Sequence, residues 1–246
     1  MALTTHGIFL KQDFALAYRY LDCCGEFLVR GQRDMDLVPT GDQTPAGGSM
    51  EAPDIGVKVD ATTTFLRVGH ELPSDSGETF RKYASSLSKM YQELFKPAGI
   101  ERNAVAINFY LPFTELSQAY AESLKWDKKQ DQQVELGQVL GMTSGWRNLE
   151  YAYVSGSKRL LLKFRPVTFE NIRLHKRNAG PNATAAQRKL VQRQNSGMDR
   201  IMKTELAHAL YVELELSEEN PAPNSEMALF EEACEKKAIV AKRYFQ

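Results

Sequence analysis

Basic side chains concentrate in one stretch of the chain, and their spacing is the strongest chemical signal in the sequence. Between residues 158 and 203, twelve Lys or Arg side chains are opposed only by Glu170 and Asp199. Side chains of this type bind phosphate groups or patches of carboxylates. We therefore predict that an acidic protein partner or a nucleic acid binds this segment. The predicted binding residues are Arg159, Lys163, Arg165, Arg173, Lys176, Arg177, Arg188, Lys189 and Arg193.

Acidic side chains dominate the segment that follows. From residue 205 to residue 235 there are nine Glu, with no Lys or Arg among them. In one interpretation the two segments neutralise each other within a chain, where exposed pairs contribute about 0 to 1 kcal/mol each. In another, the basic surface of one molecule meets the acidic surface of a second molecule, which predicts a homo-oligomer or a docked protein partner. The whole chain carries 31 basic and 31 acidic residues, which argues against polyanion binding by the entire surface.

The nucleic-acid alternative requires aromatic rings beside the basic side chains. Arg159, Lys163 and Arg165 alternate along a predicted strand, and Tyr151 or Tyr153 nearby could stack on bases. The strand itself lacks the aromatic-rich pattern of an RNA-recognition strand, since Phe164 falls on its apolar face. Binding of single-stranded RNA or DNA therefore stands as the second hypothesis.

Catalytic and metal chemistry has weak support in the sequence. The four histidines are His6, His70, His175 and His208, and none lies at metal-ligand spacing from another His or Cys. There is no nucleophile elbow and no H-E-x-x-H motif. We predict no catalytic, cofactor-binding or metal-binding residue. The sequence favours a protein that is not an enzyme, and an enzyme with an acid–base site near Asp60 and His70 is the third hypothesis.

The cysteine content indicates a reducing compartment. The chain has Cys23, Cys24 and Cys234, an odd number that does not fit a framework of disulfides. The first residues do not resemble a signal peptide, and no apolar run approaches the ~20 residues that span a bilayer. We therefore expect a cytoplasmic protein that does not contact membranes.

The clearest structural element is a helix over residues 78–95. Its apolar residues recur at helical spacing and form a wide aromatic stripe: Phe80, Tyr83, Ala84, Leu87, Met90, Tyr91, Leu94 and Phe95. Polar residues, among them Ser88 and Gln92, fill the other side. Asp75 and Glu78 fit a capping box at the start of the helix.

Period-two and helical patterns predict the other elements. Strands are expected at residues 7–10, at 57–69 as two strands or one kinked strand, at 104–111, 149–154, 159–165 and 210–216. Four further helices are expected. The first follows Asp13 and ends at about residue 29, the second begins at Thr114, the third spans residues 185–207, and the last begins at Ser225. Residues 32–56 are rich in Gly and Pro, which predicts a long mobile loop.

Together these elements predict an α+β fold with an antiparallel or mixed sheet and helices on one side. Two ferredoxin-like βαββαβ halves would divide the chain into residues 1–125, including the loop at 32–56, and residues 126–246. The alternative is one continuous antiparallel sheet. The first functional hypothesis is a non-catalytic interaction protein that self-associates or docks a partner through its segregated charges.

Overall fold

The computed structural model of the chain describes residues 4–44, 47–52, 54–71, 73, 75–124, 149–168, 185, 188, 192 and 208–244. Strands and helices alternate along this part of the chain. Their order is β1 (Thr4–Phe14), α1 (Tyr20–Met35), β2 (Val38–Thr44), β3 (Gly47–Ala52), β4 (Val57–Thr62), β5 (Phe65–Glu71), α2 (Glu78–Phe95), β6 (Ile100–Phe113), α3 (Leu116–Leu124), β7 (Leu149–Ser155), β8 (Lys158–Thr168), β9 (His208–Glu219) and α4 (Glu226–Tyr244).

The nine strands of the described residues belong to one sheet with the order β2-β3-β4-β5-β1-β6-β9-β8-β7. Every neighbouring pair is antiparallel. The predicted α+β class is therefore confirmed, with an antiparallel sheet. β6 pairs with β1 on one side and with β9 on the other, so strands from both predicted halves share this sheet. The division into two halves stays a prediction.

One face of the sheet is apolar and carries the helices. In β1, Ile8, Leu10 and Phe14 alternate with partly exposed residues and are buried. The register places Leu10 opposite Val68 of β5 and Val105 of β6, so the same face is apolar across neighbouring strands. The helices α1 to α4 belong to the core built on this face, where α2 packs on β5, α4 on β6 and β9, and α3 on β8.

Helix α2 has the bounds that its periodicity predicts, and its aromatic stripe is buried except at Tyr83, which is partly exposed. One polar position differs from the prediction, because Ser88 is fully buried and accepts a hydrogen bond from Gln92 Nε2 at 3.1 Å. At the start of the helix, the Asp75 carboxylate accepts hydrogen bonds from the amides of Gly77 at 2.9 Å and Thr79 at 3.0 Å. Asp75 therefore binds amides at the start of the helix, but the capping box predicted for Asp75 and Glu78 was wrong, because Gly77 is the N-cap residue and Glu78 is the first residue of the helix.

The predicted loop at residues 32–56 was wrong, since this segment contains the end of α1 and the strands β2 and β3. Met50 and Ala52 of β3 are buried, which gives this hairpin an apolar face that packs beneath α1. Pro39 lies in β2 at the edge of the sheet, where a strand can tolerate a missing amide donor. The glycines and prolines of this segment therefore belong to a hairpin at the edge of the sheet, although their frequency is typical of a loop.

The predicted helix cap at Asp13 was also wrong. Strand β1 continues through Asp13, and α1 begins only at Tyr20. The Asp13 carboxylate pairs with Lys11 Nζ at 2.6 Å. The predicted helix at residues 185–207 falls almost entirely outside the described residues.

None of the helices in the described ranges is long and apolar enough to cross a membrane. Cys23, Cys24 and Cys234 are free thiols.

Candidate functional site: the open face of the sheet

The face of the sheet opposite the helices, called the open face below, carries mainly charged and small residues. A groove of about 350 Å³ lies in it, across β5, β1, β6, β9 and β8. Its lining side chains include Phe9, Lys11, Arg67, Arg102, Ala104, Ala106, Asn108, Leu161, Lys163, Glu213 and Glu215.

Small side chains form the floor of the groove. Ala104 and Ala106 are neighbours on this face of β6, and they leave room above the centre of the sheet. On β5, a Cβ at Gly69 would lie 2.8 Å from Cδ1 of the Phe9 ring. The absence of a side chain at Gly69 therefore lets the Phe9 ring lie flat on the sheet at one wall of the groove.

Arg102 connects three strands beside the groove floor. Its guanidinium lies 2.6 Å from Glu215 and 3.6 Å from Glu219 of β9, and 3.8 Å from Asp13 of β1. A guanidinium with several carboxylate partners is held in a fixed orientation. Arg102 thus holds neighbouring strands together, and carboxylates of the same chain neutralise its charge.

Arg67 is different from Arg102, because it forms no ion pair with any described residue. Its guanidinium carbon lies 5.3 Å from the centre of the Phe9 ring, and its side chain is exposed. The groove lining contains four cationic side chains and two carboxylates. Lys11, Lys163 and Arg102 are each paired with a carboxylate of the chain, so Arg67 is the cation most available to a ligand.

Three of the predicted binding residues, Arg159, Lys163 and Arg165, lie on the open face of β8. Lys163 Nζ pairs with Glu150 at 3.2 Å, and Arg165 pairs with Glu213. Arg159 is exposed and forms no ion pair within the described part of the chain. Two of these three charges are therefore already matched by glutamates of the same chain.

The remaining basic residues of the prediction cannot be assigned to the site. Arg188 is described and exposed. The others, Arg173, Lys176, Arg177, Lys189 and Arg193, lie outside the described residues. On the helix side of β8, Lys158 Nζ lies 2.5 Å from Glu232 of α4, and this hydrogen bond raises the pKa of Lys158.

The tyrosines proposed as base-stacking partners face away from the basic side chains. Tyr151 pairs with Leu162 and Tyr153 pairs with Leu160, both on the helix side of β8. Arg159 and Lys163 occupy the alternate positions of that strand. The expected combination of phosphate contacts and stacking on one surface was therefore wrong for these residues.

The structure does not bring Asp60 and His70, the predicted acid–base pair, together. Asp60 lies on the open face, where it accepts a hydrogen bond from Ser49 Oγ at 2.7 Å. His70 is 1% exposed and lies on the helix side, in register with Val57 and Ile8. The sheet separates the two side chains. Among the described residues there is also no cluster of His, Cys, Asp or Glu that could hold a metal ion.

A polar cluster that the sequence did not reveal lies beside Asn108, which lines the groove. His6 Nδ1 and Tyr211 Oη are 3.0 Å apart, and the Arg165 guanidinium lies 5.5 Å from the centre of the Tyr211 ring. Burial raises the pKa of Tyr211 to about 12, although a hydrogen bond with Asn108 and the charge of Arg165 oppose this. Burial also lowers the pKa of His6, against the opposing charge of Glu71. His6 and Tyr211 are separated by 205 residues, so no local motif could indicate their contact.

Comparison with protein-family models finds no match for the chain, and comparison with curated proteins finds none either.

Proposed function

We propose that the protein is a non-catalytic, cytoplasmic interaction protein whose open face binds an acidic segment of a partner protein. The observation that supports the proposal is the exposed Arg67 guanidinium in the groove lining, which forms no ion pair in the described part of the chain. Complementary charge sets the orientation and the association rate of such a complex. Three free thiols support the cytoplasmic assignment.

The groove favours a peptide over a nucleic acid. Glu213 and Glu215 line it together with the cations, and Asp13 lies beside it. A phosphodiester backbone carries one negative charge per nucleotide and would be repelled by these carboxylates. A peptide can place a carboxylate near Arg67 and its neutral groups near Glu213 and Glu215.

The nucleic-acid alternative rests partly on the proposal of ferredoxin-like units. The order β4-β5-β1-β6, with α1 and α2 between strands, supports one such unit in the first part of the chain. Fold analogy alone is a weak argument for binding RNA. We therefore treat RNA or DNA binding as an outcome to be tested against the peptide.

The test is a fluorescence anisotropy titration, at low and high salt, with a labelled oligoglutamate peptide in which a serine follows each glutamate. Oligolysine and a single-stranded DNA oligonucleotide serve as comparison ligands. We expect binding of oligoglutamate alone, weakened by salt because the charges are exposed. Equal binding of oligolysine, or binding of DNA without oligoglutamate, would contradict the proposal.

A pair of variants then locates the site. Arg67→Glu reverses the available charge of the groove and should weaken oligoglutamate binding by roughly tenfold or more. Lys82→Glu makes the same change of charge on the exposed side of α2, on the other face of the sheet, and should leave binding nearly unchanged. Equal effects of the two variants would place the ligand outside the groove.

A further inference from the structure

Strand β7 is an edge strand with little of the protection that edge strands usually carry. It lies at one end of the sheet order, so its outer side pairs with no described strand. Its central residues are Tyr151, Ala152, Tyr153 and Val154, with no charge or proline among them. Tyr153 is 53% exposed and Val154 is 74% exposed. Edge strands of this kind are templates for pairing with another strand.

The hydrogen-bond pattern shows which backbone groups of β7 point outward. The Glu219 amide donates to the Ser157 carbonyl at 3.0 Å, so the odd-numbered residues at this end of β8 bond to β9. The even-numbered residues of β8 then bond to β7, because bonded positions alternate in antiparallel strands. Their partners on β7 are the odd-numbered residues. The amides and carbonyls of Glu150, Ala152 and Val154 therefore point away from the sheet.

We infer that two copies of the chain associate through antiparallel pairing of their β7 strands, with the two-fold axis at Ala152. Ala152 is the midpoint of Leu149–Ser155, so this register pairs the strand over its full length. It places Ala152 opposite its own copy and Glu150 opposite the partner's Val154. All of these are outward-pointing positions, so each pair can exchange backbone hydrogen bonds.

The side chains on both faces fit this register. On the helix side, Tyr151 of one copy lies opposite Tyr153 of the other, and the two-fold axis repeats this aromatic pair. On the open face, Arg159 is the neighbour of Val154 within one copy. The partner's Glu150 arrives on the other side of Val154. That carboxylate pairs with Lys163 of its own copy, and the register places it between this Lys163 and Arg159, which has no ion pair with a described residue. Charge complementarity thus identifies a second copy as the occupant of this edge.

The association of wild-type chains is measured by sedimentation equilibrium over a range of protein concentrations. We expect the mass to rise towards twice the chain mass of 27.8 kDa. A mass of one chain at every concentration would overturn the inference. The Arg67→Glu variant should associate like the wild type, so failure of the groove proposal and failure of this one are distinguishable.

Two substitutions at the exposed Val154 test the register without disturbing the core. Val154→Glu would face the partner's Glu150 and also neutralise its own Arg159, so it should raise the dissociation constant by roughly tenfold or more. Val154→Lys removes the same apolar side chain but faces Glu150 with an opposite charge, and it should change the constant much less. Val29→Glu, at an exposed position of α1, is the control for adding a carboxylate elsewhere. Equal weakening by Val154→Glu and Val154→Lys would contradict the register.

Oxidative cross-linking gives an independent geometric readout. In this register the two Ala152 Cα atoms lie about 5.5 Å apart, within the range that a disulfide spans. The two Val154 Cα atoms are offset by four residues, about 14 Å. Ala152→Cys should therefore form a disulfide-linked dimer under oxidation, while Val154→Cys and the wild type, with its three native thiols, should not. Cross-linking of Val154→Cys in place of Ala152→Cys would overturn the proposed axis.

Discussion

At the scale of single residues, buried tyrosine hydroxyls fix the connection between β4 and β5 to the helices. Tyr91 Oη donates to the Thr62 carbonyl at 2.6 Å, and Tyr20 Oη donates to the Ala61 carbonyl at 2.7 Å. Burial raises the pKa of both phenols. We expect Tyr91→Phe to lower the free energy of unfolding by about 1 kcal/mol, the usual net contribution of such a hydrogen bond.

Chemical denaturation of the variant and the wild type measures this loss. Tyr18→Phe removes the same hydroxyl from a side chain that is 78% exposed, and it should leave the free energy of unfolding unchanged. If Tyr18→Phe destabilises the chain as much as Tyr91→Phe, the hydrogen bond to Thr62 is not the source of the effect.

His6 should give the folded state a dependence on pH. Burial lowers the pKa of His6 below its usual value of 6.5, so the unfolded chain binds a proton more readily than the folded chain. The free energy of unfolding should therefore fall as the pH decreases through about 6.5. The His6→Gln variant should show a weaker dependence between pH 8 and pH 5. Identical slopes for wild type and variant in denaturation curves at several pH values would exclude His6 as the titrating group.

At the scale of elements, α2 is stabilised by its buried stripe rather than by its exposed side chains. Leu87 is fully buried at the centre of this stripe. We expect Leu87→Ala to lower the free energy of unfolding by about 2 to 5 kcal/mol, because it removes buried methyl groups and leaves a cavity. Ser86→Ala on the exposed side should change it by less than about 0.5 kcal/mol. Denaturant unfolding of both variants compares the two faces directly.

Periodicity predicted the elements whose burial follows a simple pattern. The stripe of α2, the alternation in β6 and β9, and the hairpin of β7 and β8 were all visible in the sequence, with ends within a few residues. The β2–β3 hairpin was missed because an edge position tolerates Pro39 and glycines that elsewhere indicate loops. Its apolar face comes from Met50 and Ala52, too few residues to give a clear period.

The candidate site was only partly predictable for a different physical reason. The basic face of β8 could be predicted from the alternation of Arg159, Lys163 and Arg165 along one strand. Arg67 and Lys11 belong to strands far away in the sequence, and only the sheet order places them at the same groove. Whether such a cation is free to bind a ligand also depends on the carboxylates of the neighbouring strands. The order of residues along the chain does not determine which carboxylates these are.

At the scale of the whole molecule, β6 is the strand that joins the two parts of the sheet. Its Ile107 lies in register with Ile8 of β1 and with Leu214 of β9, and all three are buried on the helix side. The apolar core is one cluster that includes residues of β4 and β5 as well as of β8 and β9. Loss of packing at Ile107 should therefore destabilise the strands on both sides of β6.

We expect Ile107→Ala to destabilise both parts of the sheet together, by about 2 to 5 kcal/mol. Hydrogen exchange of the native protein measures this, because protected amides of a cooperative unit report the same opening free energy. The amides of β4 and β5 and those of β8 and β9 should lose equal protection in the variant, and heating should give one transition. Ile239→Ala, at a 60% exposed position of α4, should leave both groups of amides unchanged. Loss of protection confined to one side of β6 would show instead that the sheet contains two independently stable parts, as the division of the chain near residue 125 predicts.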